Sequence, residues 1–144
     1  MSDGLFKFER RVVYADCTVG NHVYYARYLD MLEEARGELF RSAGSPLSQL
    51  QEHGVIFPVV ALSVSYTAPA RYDDVLTIGL FITRLGPARL DVGFDIISAA
   101  GKRLVSGETR HVCATLEEKP RRMPEELIEQ LRPFSRVQVD VAQS

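Results

Sequence analysis

Cysteine is scarce in this chain, with two in 144 residues. Cys17 and Cys113 lie far apart, outside any C-x-x-C and without histidines at metal-ligand spacing, which argues against both a disulfide scaffold and a zinc site. Reduced thiols in a cytosolic protein fit best. Positive charge is not in excess either: the net charge is −2, and the arginines are scattered rather than clustered. The chain therefore offers no broad cationic field to a nucleic acid, and only a local basic spot for a phosphate stays open. Long apolar runs are missing too. The opening MSDGLFKFERR has no stretch of signal-peptide length, and no later segment nears the roughly 18 apolar residues of a membrane span. The expectation is a soluble, cytoplasmic protein without repeats, low-complexity tracts or linkers. With 46% hydrophobic residues, a single domain over residues 1–144 has enough apolar material for one real core.

The order of patterns is informative. From Leu5 to Tyr14, Phe6, Phe8, Val12 and Tyr14 alternate loosely with Lys7, Glu9 and Arg11, as in a half-buried strand. An irregular turn follows, carrying Asp16, Cys17, Thr18, Gly20, Asn21 and His22, and it feeds a long helix that begins near Tyr24. On a wheel centred on Leu32, Tyr25, Tyr28, Leu29, Ala35, Leu39 and Phe40 fall within about 80° of it, opposite Arg27, Asp30, Glu34, Gly37 and Arg41. Arg36 lands inside the apolar arc with Glu33 at its edge. These two can pair, either as a structural ion pair at a buried seam or subunit contact, or with Glu33 serving as a site carboxylate. Gly44 ends the helix, and Pro46 to about His53 forms a shorter one stopped by Gly54. His53 reads as a surface partner of that helix end.

From Val55 onward the pattern is that of strands: Val55–Thr67, Val75–Leu85, Arg89–Ser98 and Lys102–Leu116, separated by PARYDD, GPA and AAG. Short links predict a four-stranded antiparallel meander, and Met123–Leu131 a last short helix. The expected fold class is α+β, a five-stranded antiparallel sheet wrapped around the long helix. Its open edges predict a second copy of the chain as partner, with a pocket at the subunit boundary beside the helix N-terminus.

YADCTVGNHVYYARYLDMLEEAR followed by FPVVALSVSYTAPARYDDVLTI resembles the hotdog-fold acyl-CoA thioesterases, in the branch of 4-hydroxybenzoyl-CoA thioesterase and the YbgC-like enzymes. The resemblance spans about Phe6 to Leu116. It implies a hotdog fold, a homodimer or homotetramer, and hydrolysis of a CoA thioester without metal or organic cofactor. In that branch the turn before the helix reads D-x-D, and the second carboxylate is nucleophile or general base. Here Asp16 holds the first position and Thr18 the second. A threonine hydroxyl orients water but cannot act as a carboxylate base near neutral pH, and general-base help is worth about 10²–10⁴ in rate.

Three groups are left to supply that base: Asp16, which otherwise accepts backbone N–H bonds in the turn; His22, which otherwise caps or stacks; and Glu33, reaching from a neighbouring edge or subunit. The resemblance also implies that the backbone N–H of Tyr25, at the positive end of the helix dipole, binds the oxyanion. Arg84, Arg89, Lys102 and Arg103 are its implied contacts to CoA. No His/Asn arrangement singles out Cys17 as a nucleophile. The competing reading is a hotdog protein that binds acyl-CoA or an acyl carrier with little hydrolysis, while a hydratase lacks its usual Asp-and-His helix motif.

Overall fold

The structure, a computed structural model, describes residues 4–136. Strand β1 (Phe6–Arg11) keeps the expected alternation, with Phe6, Phe8 and Arg10 half-buried and Lys7, Glu9 and Arg11 exposed. It ends before Tyr14, because the chain tightens into a 3-10 turn over Tyr14–Asp16 that leaves Tyr14 80% exposed. A small hairpin follows, β2 (Cys17–Thr18) and β3 (His22–Val23). Gly20 at φ 83° and Asn21 at φ 62° close it. Glycine enters this left-handed region without a Cβ penalty, and asparagine tolerates it.

Helix α1 (Arg27–Ala43) buries Tyr28, Met31, Leu32, Ala35, Leu39 and Phe40, the stripe of an amphipathic helix. Its start corrects the expected one near Tyr24. Residues Tyr24 to Ala26 form a turn in which the Arg27 N–H donates to the Tyr24 carbonyl at 2.8 Å. Tyr25 therefore precedes the helix and is exposed, while Met31, outside the expected arc, is inside. Gly44 ends the helix in the left-handed conformation at φ 111°, and the short helix α2 (Leu47–Glu52) follows.

Strands β4 (Val59–Tyr66), β5 (Val75–Leu85), β6 (Arg89–Ile97) and β7 (Arg103–Val112) complete a five-stranded antiparallel sheet in the order β1-β5-β6-β7-β4. The expected four-stranded meander is thereby corrected: only β5, β6 and β7 follow one another, and β4 pairs with β7. Both edges of β5 are taken, by β1 and β6. The segment 67–74 instead crosses at one end of the sheet, a span of about 14 Å that its residues reach easily at about 3.3 Å each.

The core forms where alternate residues of β5 (Leu76, Ile78, Leu80, Ile82) and β6 (Leu90, Val92, Phe94, Ile96) are buried with the α1 stripe. Helix α3 (Glu125–Leu131) adds Leu127 and Leu131. A five-stranded antiparallel sheet packed on one long helix is the hotdog arrangement, an α+β fold.

Candidate active site

The hairpin, the start of α1 and the crossing segment meet at one end of the sheet. Val12 N–H donates to Asp74 O and Asp73 N–H to Val12 O, Val23 N–H donates to Ala70 O, and His22 bridges to Arg71. Tyr28 Oη, from the first turn of the helix, accepts the Ala70 N–H at 3.0 Å. Three segments distant in sequence are thus laced together by backbone groups.

Asp16 is the lock of this end. Its carboxylate is 3% exposed, accepts the Val13 N–H at 2.9 Å, and pairs with Arg10 at 2.7 Å. Arg10 in turn reaches Glu34 on α1 at 3.0 Å. Burial pushes the Asp16 carboxyl up, but the Arg10 hydrogen bond, the Val13 N–H and the charges of Arg10 and Arg27 outweigh it and hold the group below the ordinary carboxylate range. All this ties Asp16 to the turn.

Thr18 and His22 stand directly opposite each other in the β2–β3 ladder, so their side chains share one face about 5 Å apart. Thr18 is exposed and His22 half-buried. Next to them the N–H groups of Tyr25 and Ala26 donate to no acceptor among the described residues. These are the free donors that a helix start always leaves over. The six tyrosines of the chain all gather here: Tyr14 packs on Tyr72, Tyr24 on Tyr25, and Tyr66 on both Tyr25 and Tyr28.

Glu33 is not part of this group. It lies two turns further along α1, about 12 Å from Tyr25 on the axis at 1.5 Å per residue. There it forms an ion pair with Arg36 at 3.0 Å. Arg36 is the buried partner and donates to Phe57 O at 3.3 Å and to His111 Nδ1 at 2.7 Å. His111 is buried in the sheet, with Nε2 2.9 Å from Thr109 Oγ1. A guanidinium donating to Nδ1 leaves the proton on Nε2, which donates to Thr109. Burial, then the Arg36 charge, lower the His111 pKa from 6.5 to about 4.

The four basic residues divide between opposite ends of the sheet. Lys102 and Arg103 lie at the β6–β7 turn, on the same end as Tyr25, where Thr67 and Ala68 bond to Leu104 O. Arg84 and Arg89 lie at the other end, about 30 Å away along β6 at about 3.3 Å per residue. Arg89 is engaged by Asp91 at 2.7 Å and Arg103 by Asp95 at 3.3 Å. Three residues at this site, Arg10, Tyr66 and Arg71, went unread in the sequence, as did His111 beside Arg36. Arg71 was hidden in a turn signal, and the others find their partners only through long-range contacts.

A family model described as the thioesterase-like superfamily matches residues 12–131. The acyl-CoA thioester hydrolase YbgC of Escherichia coli O6:H1 is 34% identical over 133 residues, covering 92% of this chain and 99% of that protein. The crystal structure of a 1,4-dihydroxy-2-naphthoyl-CoA thioesterase from Synechocystis superposes with a TM-score of 0.82 at 28% identity, over 89% of this chain and 96% of its own. That of a probable thioesterase from Bartonella henselae does so with a TM-score of 0.79 at 32% identity, over 83% and 99%. With the fold, the exposed helix start and these matches in agreement, the chain belongs to the thioesterase-like superfamily.

Proposed function

We propose that this chain hydrolyses the thioester of an acyl-CoA to free acid and CoA, as a cytoplasmic enzyme that needs no metal or organic cofactor. The observation that carries the reading is the Tyr25 N–H, unpartnered among the described residues and just ahead of a 17-residue helix, with Thr18 and His22 close by in the chain. An acyl carbonyl held against that N–H gains most as its oxygen becomes anionic in the tetrahedral intermediate. Thr18 orients the water. His22 takes the proton as the water attacks and returns it to the departing CoA thiolate, so one proton is borrowed and given back. Asp16 keeps the turn in shape and is not itself the base, because Arg10 and the Val13 N–H already occupy it.

Lys102 and Arg103, with Arg71 beside His22, supply positive charge for the CoA phosphates at this end. Arg84 and Arg89 serve a CoA only at a site of another subunit, and so does Glu33 as a site carboxylate. A second copy joins along β4, an edge strand that exposes Val59, Val60, Leu62 and Tyr66, giving a homodimer or a homotetramer.

The second reading, an acyl-CoA binder with little hydrolysis, is favoured by one observation: Thr18 stands where a carboxylate is expected and Asp16 is locked. Incubation with a panel of aliphatic and aromatic acyl-CoAs, with free thiol followed over time, separates the two. Thiol release that depends on His22 supports hydrolysis. Measurable binding without turnover supports the binder.

A further inference from the structure

The hydroxyl of Tyr66, the last residue of β4, donates to the backbone carbonyl of Tyr25 at 2.9 Å. That carbonyl belongs to the peptide joining Tyr25 to Ala26, so the N–H of the same amide is that of Ala26, which has no acceptor among the described residues. In a planar trans peptide the carbonyl and the N–H point in opposite directions. Holding the one therefore aims the other. Accepting a hydrogen bond also polarises the amide and strengthens its N–H as a donor, by about 10–30% per bond.

The neighbouring amide is treated alike. Its carbonyl, that of Tyr24, accepts from Arg27 at 2.8 Å, and its N–H is that of Tyr25. Burial, then the Tyr25 charge, hold the Tyr66 phenol above its ordinary pKa of 10, so at neutral pH it stays a donor. The ring is fixed against both Tyr25 and Tyr28.

We propose that Tyr66 is a positioning residue for thioester hydrolysis: it fixes the Tyr25–Ala26 peptide so that the Ala26 N–H stands beside that of Tyr25 as a second oxyanion donor. This rests on the reading of the helix start as the oxyanion site. A purely structural tyrosine would be worth only stability, whereas one that aims a donor at a developing charge acts on the transition state and leaves substrate binding alone.

The test is Tyr66→Phe in the full chain, which removes one oxygen and keeps the ring. Tyr28→Phe serves for comparison, since it deletes a hydroxyl of the same cluster that is bonded to the Ala70 N–H instead. Loss of a whole oxyanion donor costs about 10²–10³ in kcat, so loss of its aim is expected to cost about tenfold. Tyr66→Phe should lower kcat by about that factor with KM within about twofold, and Tyr28→Phe should lower the melting temperature with kcat kept. A kcat for Tyr66→Phe within twofold of the parent, or an effect confined to KM, overturns the proposal.

A second readout holds even if the parent protein releases no thiol, in which case the hydrolysis reading alone fails. In backbone amide spectra titrated with a non-hydrolysable acyl-CoA thioether, the Tyr25 and Ala26 resonances should both move in the parent. Only that of Tyr25 should move fully in Tyr66→Phe. An Ala26 amide that ignores the ligand in the parent, or responds identically in the variant, overturns the proposal.

Discussion

At the scale of single residues, two buried polar pairs decide how the protein responds to pH and to substitution. Asp16 and Arg10 lose their partner when either is changed, and breaking a buried pair costs about 3–5 kcal/mol. Asp16→Asn keeps the shape but loses the charge, so it should lower stability by about 2–3 kcal/mol in urea unfolding and lower kcat only as the turn loosens. Because the folded carboxyl sits below its ordinary value, this contribution is present above about pH 4 and fades as pH falls through the folded pKa. His111 acts in the same direction in a higher window. The folded state binds its proton only near pH 4 and the unfolded state near 6.5, so the unfolded chain holds more protons between these values and stability rises with pH across them. At about 1.4 kcal/mol per pH unit, the gap is worth up to about 3 kcal/mol. Urea titrations at pH 4.5, 5.5 and 7 should show that slope, and His111→Gln should flatten it. His22→Ala is different in kind: kcat should fall by about 10²–10⁴ with the melting temperature little changed, and Thr18→Asp should raise activity in the same thiol assay. Asp16, Thr18 and His22 were legible as a cluster because they adjoin in sequence. That Arg10 occupies Asp16, or that His111 meets Arg36, was not, since those contacts are made only once β1, β7 and α1 are packed.

Among the elements, β5 was legible residue for residue, because a run of β-branched and aromatic side chains between PARYDD and GPA leaves little room for another reading. The C-terminus of α1 was equally plain. Gly44, at φ 111°, is needed where an alanine would be strained, so Gly44→Ala should cost about 1 kcal/mol in denaturant unfolding. The start of α1 was less plain. Tyr24 to Ala26 carry no capping side chain, and the apolar periodicity runs through Tyr25 although the backbone does not become helical until Arg27. The place of β4 could not be read from local pattern at all: sequence neighbours predict a hairpin with β5, and only the competition for β5's edges sends β4 to β7. That misreading matters for the site, since the crossing segment it creates carries Ala70 and Arg71 to the hairpin and leaves Tyr66 beside the helix start.

For the whole molecule, the exposed apolar side chains of β4 and the tyrosine-lined helix start are the surface on which the proposed second copy would dock. Val60→Lys combined with Leu62→Lys, both on exposed positions of that edge, should leave the monomer folded, shift sedimentation from the oligomer to a single chain, and lower kcat/KM together with it. The proposed chemistry depends on the amides of Tyr25 and Ala26, just before α1, facing the carbonyl of a bound acyl-CoA. A crystal structure with a non-hydrolysable CoA thioester analogue tests it most directly. The acyl carbonyl, or the group replacing it, should lie within about 3 Å of the Tyr25 nitrogen, with the CoA phosphates near Lys102 and Arg71. A carbonyl bound instead beside Glu33 and Arg36 of its own chain, with the Tyr25 N–H turned to solvent, would contradict it.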